Sequence, residues 1–172
     1  MRYLMMLMLA AILGGCGQPQ AEPTGLDAQS SDLIIGEQRR CHQCGMFIKR
    51  YPGPKAMVRV KGQESALAFC STGDMFQFVL QPENVRQIKE VWVHDMGKTD
   101  WDNPQDHAFM PAEKAWFVTG SNRHGAMGPT LVSFSVQQQA QAFANSYGGS
   151  VKPYDEISLN MFGKPSHHGH KH

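Results

Sequence analysis

Four things are missing from this chain, and each absence excludes something. No apolar run is long enough to cross a bilayer as a permanent helix, which takes ~20 residues; the run that opens at Tyr3 stops at Leu13. Charge is nearly balanced, with a formal net of +1 and no long run of one sign, so nothing favours a nucleic acid. Asp74, His94 and Asp95 could serve as acid–base groups, but their spacing fits no hydrolytic motif, so the chain does not read as an enzyme. Last, the cysteines do not make pairs. If Cys16 is set aside, Cys41, Cys44 and Cys70 remain, and an odd set cannot form a complete disulfide framework.

Cys16 is set aside because of what precedes it. Arg2, the short apolar run and Leu13-Gly14-Gly15-Cys16 have the proportions of a secretory signal ending in a lipobox. Residues 1–16 are therefore expected to be a signal, with Cys16 lipidated. Gly17, in place of aspartate, leans towards the outer membrane on the periplasmic side. Residues 17–32 are polar and rich in Gly, Pro, Gln and Ser, and read as a flexible tether. At the other end, residues 164–172 form a His-rich tail that could catch metal ions loosely.

Between these ends, alternation marks strands at Ala56–Val60, 65–69, Ile88–His94, 115–119, 130–134 and 150–154. A helical face spans Met75–Leu80, with Ser71 or Thr72 as its cap. A second helix spans Val136–Tyr147, with Ser135 as its cap and Gly148-Gly149 as its stop. The body therefore reads as α+β, with two similar ββαβ units over 33–104 and 105–163.

Chemistry concentrates in Cys41-His42-Gln43-Cys44-Gly45-Met46. Three readings compete. A redox pair would place CxxC at the start of a helix after a strand, whereas this stretch reads as a knuckle running into a strand. A structural zinc would use Cys41, Cys44 and Cys70, with His42, His94 or His124 as the fourth donor. Thiolate with thioether selects Cu(I) instead. If residues 44–46 are extended, alternate side chains share a face and the sulfurs of Cys44 and Met46 converge. His124 and Met127 lie in a Gly/Pro-punctuated loop that offers an imidazole and another thioether. Met57, Met75, Met96 and Met110 read as packing.

The lipobox, CHQCGM, the following YPGPKA and the later GAMGP resemble the NosL family, copper chaperone lipoproteins of nitrous-oxide reductase assembly. The resemblance covers nearly the whole mature chain. It implies two ββαβ units related to part of organomercurial lyase. It also implies Cu(I) binding and delivery to the copper–sulfide centre of the reductase, with a membrane ABC transporter complex taking part. Carried onto this chain, it points to Cys44 and Met46 as ligands, then Met127 and His124. Cys41, with His42 or Cys70, is then an extra donor or part of an additional site, for instance for Zn(II).

Overall fold

The computed structural model describes residues 33–162. The signal, Cys16, the tether and the His-rich tail lie outside them. Within them the two units have the same topology. In the first, β1 (Ala56–Val60) and β2 (Leu67–Phe69) form a hairpin, α1 (Thr72–Val79) and the one-turn α2 (Pro82–Val85) follow, and β3 (Ile88–His94) returns beside β1. A short β4 (Phe109–Pro111) adds to the far edge, giving the order β2-β1-β3-β4. In the second, β5 (Trp116–Thr119) pairs with β8 (Val132–Phe134). Helix α3 (Gln137–Tyr147) follows, and β9 (Ser150–Pro153) returns beside β5, giving β8-β5-β9. All neighbours are antiparallel. A small hairpin, β6 (His124–Gly125) and β7 (Gly128–Pro129), interrupts the second unit.

Local chemistry explains the boundaries. Ser71 caps α1, its hydroxyl accepting from the Asp74 amide at 3.0 Å. Pro82 does more than follow α1: it sits in the first turn of α2, where its missing N–H costs nothing. Gly148 ends α3 at φ 77°, a conformation that penalises any residue with a Cβ. Ser135 does not cap α3. The N-cap is Val136, without a side-chain bond, because Ser135 is already committed elsewhere: its hydroxyl donates to Asp95 Oδ2 at 2.5 Å.

Alternation along β5 joins two cores. Phe117 points into the larger one with Met57, Phe69, Met75 and Phe76, while Val118 faces the smaller one under α3 with Val132, Phe134 and Ala140. Met57 and Met75 are packing residues, and Met96 and Met110 pack at the margins of the two cores. A fully buried phenylalanine such as Phe76 contributes roughly 2–3 kcal/mol. The larger core also holds Cys41 and Cys70, so the first unit and the candidate site share one packed interior.

Candidate metal centre

The knuckle is a closed turn rather than the start of a strand. Arg40 bridges Phe47, the Cys41 amide donates to Met46 O at 2.8 Å, and the Gly45 amide donates to Cys41 O at 2.9 Å. Gly45 has φ 74°, so residues 44–46 are not extended, and strand alternation gives no reason for Cys44 and Met46 to face together. A 3-10 turn over Ile48–Arg50 follows in place of the expected strand. The turn forms because Gly45 alone tolerates the left-handed conformation that lets the backbone close on itself. The His42 amide donates to Ala68 O at 2.8 Å and fastens the knuckle to β2.

That fastening brings Cys41 and Cys44 to Cys70, which sits where β2 turns into α1. The sulfurs of Cys44 and Cys70 are 3.4 Å apart. Asp74, in the first turn of α1, completes the cluster: its Oδ2 lies 3.2 Å from the Cys70 sulfur and 3.7 Å from that of Cys41. One donor atom from each of Cys41, Cys44, Cys70 and Asp74 lies within 4.8 Å of every other. All three cysteines are free thiols; Cys41 and Cys70 are buried and Cys44 is half-buried.

The YPGPKA stretch gains a physical role here. Lys55 is buried at 2 % exposure and its ammonium donates to the carbonyls of Tyr51 at 2.6 Å, Pro52 at 2.9 Å and Cys70 at 3.3 Å. It ties the turn to the backbone of a cluster cysteine. Gly53 allows the same turn to pass close to the β6–β7 hairpin, since a Cβ there would lie 3.2 Å from Gly125 Cα. Burial pushes the Lys55 ammonium down to about 8, opposed by the Coulombic pull of the nearby Cys70 and Cys41 side chains.

The cluster carries its charge unevenly. Hydrogen bonding from Cys70, more than any opposing desolvation, brings the Cys41 thiol down to about 4. Cys70, which supplies that bond and is itself desolvated beside Asp74, is pushed far above the usual thiol range. Burial raises both Cys44 and the Asp74 carboxyl. The metal-free site thus holds one thiolate readily and resists a second charge. A cation of soft character answers that electrostatic deficit, and its binding displaces protons from the remaining thiols.

The other residues singled out from sequence fall elsewhere. Met46 is half-buried and packs against the larger core. His42 is exposed, its ring edge-on to Phe78 at 5.1 Å and Phe69 at 5.8 Å. His94 is fully buried against Phe109, centroids 4.0 Å apart, and belongs to no donor cluster among the described residues. His124 and the 52 % exposed Met127 lie on the β6–β7 hairpin, and Met127 lines a separate hollow with Met161 and Phe162. Asp74 is the donor that sequence reasoning missed. Its signal was the spacing Cys70–Asp74 across Ser71-x-x-Asp74, where a residue before the helix and one in its first turn meet on one side.

Comparison with known proteins places the chain in a family. A profile of the NosL family matches residues 32–162. The chain belongs to the NosL family. Two curated relatives carry the name copper-binding lipoprotein NosL. That of Stutzerimonas stutzeri is 37% identical over 154 residues, covering 90% of this chain and 78% of the relative. That of Achromobacter cycloclastes is 31% identical over 164 residues, covering 94% and 82%. Among solved structures, the copper chaperone NosL from Shewanella denitrificans is 48% identical, with a TM-score of 0.73 over 74% of this chain and 95% of that one. The mixed arrangement of small sheets and helices is therefore the NosL fold.

Proposed function

We propose that this protein is a copper carrier that binds Cu(I) at Cys41, Cys44 and Cys70 and performs no catalysis. The observation that carries the reading is the convergence of three free thiols, one of them half-exposed. Cu(I) is soft and accepts few ligands, and thiolates suit it better than imidazole or carboxylate. Met46, from the same knuckle, supplies a neutral thioether that adds no charge. His42 and His124 are left out of the resting ligand set, because neither joins the thiol cluster, and Met127 because it lines a separate hollow at the β6–β7 turn. Cys44 is the exchange position: an incoming donor reaches its sulfur first, and copper passes by stepwise replacement of ligands.

The names of the relatives support a lipoprotein that handles copper. On this reading Cys16 carries the lipid and holds the protein at the periplasmic side of a bacterial membrane, the outer one by the residue that follows it. The acceptor is nitrous-oxide reductase, whose copper–sulfide centre is assembled with help from a membrane ABC transporter complex. The test is a Cu(I) titration of protein lacking residues 1–16, followed by sulfur-to-metal charge-transfer absorption. One tightly held Cu(I) per chain, with the metal-free form already folded, supports the carrier.

A second reading has its own observation. In a tetrahedral site with metal–sulfur bonds of ~2.3 Å, donors stand ~3.8 Å apart. Separations of 3.2, 3.4 and 3.7 Å, with a carboxylate as fourth donor, resemble that cage. Structural Zn(II) at Cys41, Cys44, Cys70 and Asp74 predicts a metal-free chain that unfolds and recovers with zinc. Asp74→Asn separates the two readings: zinc affinity falls sharply if zinc is native, whereas Cu(I) affinity changes little.

A further inference from the structure

The surface around the knuckle is charged in a way the rest of the molecule is not. Residues 37–50 contain Arg39, Arg40, Lys49 and Arg50 against one acid, Glu37; the other described residues carry nine lysines and arginines against eleven acids. The cations sit on the two limbs of the turn that presents Cys44. Arg39 and Arg40 lead into it, and Lys49 and Arg50 lead out. Arg40, Lys49 and Arg50 are exposed; Lys49 already lies 3.4 Å from Glu37 and 3.9 Å from Asp106, so the two arginines carry most of the charge open to a partner.

These are held cations rather than loose ones. The guanidinium of Arg40 lies 3.9 Å from the centroid of Phe47 and that of Arg50 lies 4.4 Å from the same ring. Arg40 also donates to Gly45 O at 2.9 Å, and Arg39 to Ala66 O. A stacked, hydrogen-bonded guanidinium loses little freedom when it meets a carboxylate, which makes it a good recognition group. Beside it runs an open groove of about 400 Å³ lined by Arg39, Arg40 and His42.

We propose that this cationic collar is the docking face for an acceptor protein whose own metal-receiving site is rimmed by carboxylates. The proposal rests on the copper-carrier reading, because it assigns the collar to the handover at Cys44. A protein partner fits better than an anionic lipid surface. Lipid headgroups laid on the collar would cover the half-exposed Cys44, the position where copper must leave. An acidic protein surface can pair with Arg40, Lys49 and Arg50 and still bring a sulfur or imidazole donor to Cys44. Complementary charge of this kind raises association rates by about 10–10³-fold and loses its effect as salt rises.

The test uses the full-length lipoprotein in a host whose own gene has been removed. The measured quantity is the copper content of nitrous-oxide reductase. Lys49→Glu/Arg50→Glu is expected to bind Cu(I) in vitro as the wild type does, yet lower reductase copper loading by about tenfold. Lys49→Gln/Arg50→Gln, which removes charge without reversing it, gives a smaller loss in the same direction. Arg40→Lys/Arg50→Lys, which keeps the charge but loses the stacked guanidinium, gives a loss smaller than that of the Gln pair. Wild-type loading by both charge-altered variants, with Cu(I) affinity intact, overturns the proposal. So does binding of wild-type protein lacking residues 1–16 to phosphatidylglycerol vesicles that the same form of the Glu variant loses, which would assign the collar to lipid. If the gene-deleted host loads its reductase normally with no protein supplied, the carrier reading itself fails, and that result is distinct from either.

Discussion

After β2 the chain turns through Cys70 and Ser71 into α1; after β8 it turns through Ser135 and Val136 into α3. The two junctions hold the same place in the same topology. In the first, Cys70 meets the Asp74 carboxylate and two more thiols. In the second, Ser135 meets the Asp95 carboxylate, which accepts from the Ser135 amide at 3.1 Å and hydroxyl at 2.5 Å, and from the Gly97 amide at 3.1 Å. Lys98 lies 3.2 Å away. These bonds hold Asp95 below the ordinary carboxylate range despite its burial. One junction is satisfied by its own protons and cation. The other gathers four donors that repel a second negative charge. The fold provides a strand-to-helix corner where polar groups converge, and the residue types decide whether that corner closes a hydrogen-bond network or awaits a metal.

The sharpest way to break this contrast is to make the first corner resemble the second. Cys70→Ser is expected to lower Cu(I) affinity by more than about a hundredfold, beyond the 10–100-fold that loss of a mere outer-shell partner costs. Competition against a Cu(I) chelator measures it. Asp95→Ala attacks the other corner. It takes the charged acceptor from the half-buried Ser135 and the exposed Gly97 amide and is expected to cost about 2 kcal/mol in urea unfolding, while Cu(I) affinity stays unchanged.

A smaller effect comes from pH. His94 packs beside the second corner, and burial, with the Lys55 and His107 charges adding to it, holds its imidazole down to about 3. The unfolded chain takes up that proton near 6.5, so it binds more protons than the folded one across the interval. Stability is therefore lost as pH falls from 6.5 towards 3, by about 1.4 kcal/mol per unit. His94→Phe flattens that slope in urea titrations at several pH values. Smallest of all is Ser135→Cys. It puts a thiol beside a carboxylate in the second corner, but no other described cysteine stands there, so copper stoichiometry remains one per chain by metal analysis.

Much of the fold was legible because its signals are local. The strands Ala56–Val60 and Ile88–His94 end where their alternation does, and Gly148 stops α3 through its own backbone freedom. Ser71 reads as a cap because the residue it serves is three positions on. Ser135 looked the same and was not, since its partner is Asp95, far back in the chain, and no local pattern announces such a bond. The strand β4 (Phe109–Pro111) is too short to show alternation and exists only because the edge of β3 pairs with it. The site divides in the same way. Cys41 and Cys44 announce themselves by spacing. Asp74 hides, because a carboxylate in the first turn of a helix ordinarily needs no explanation beyond the helix itself. The strand argument for Met46 failed at Gly45, whose left-handed backbone belongs to the closed turn that carries Cys41 and Cys44 to Cys70.

X-ray absorption at the copper edge of the Cu(I)-loaded protein examines the thiol convergence most directly. The account predicts a first shell of sulfur alone, which loses a scatterer in Cys70→Ser and is unaltered in His124→Ala. A first shell containing nitrogen, or a copper spectrum unchanged when Cys41 and Cys70 are both replaced by serine, would contradict it.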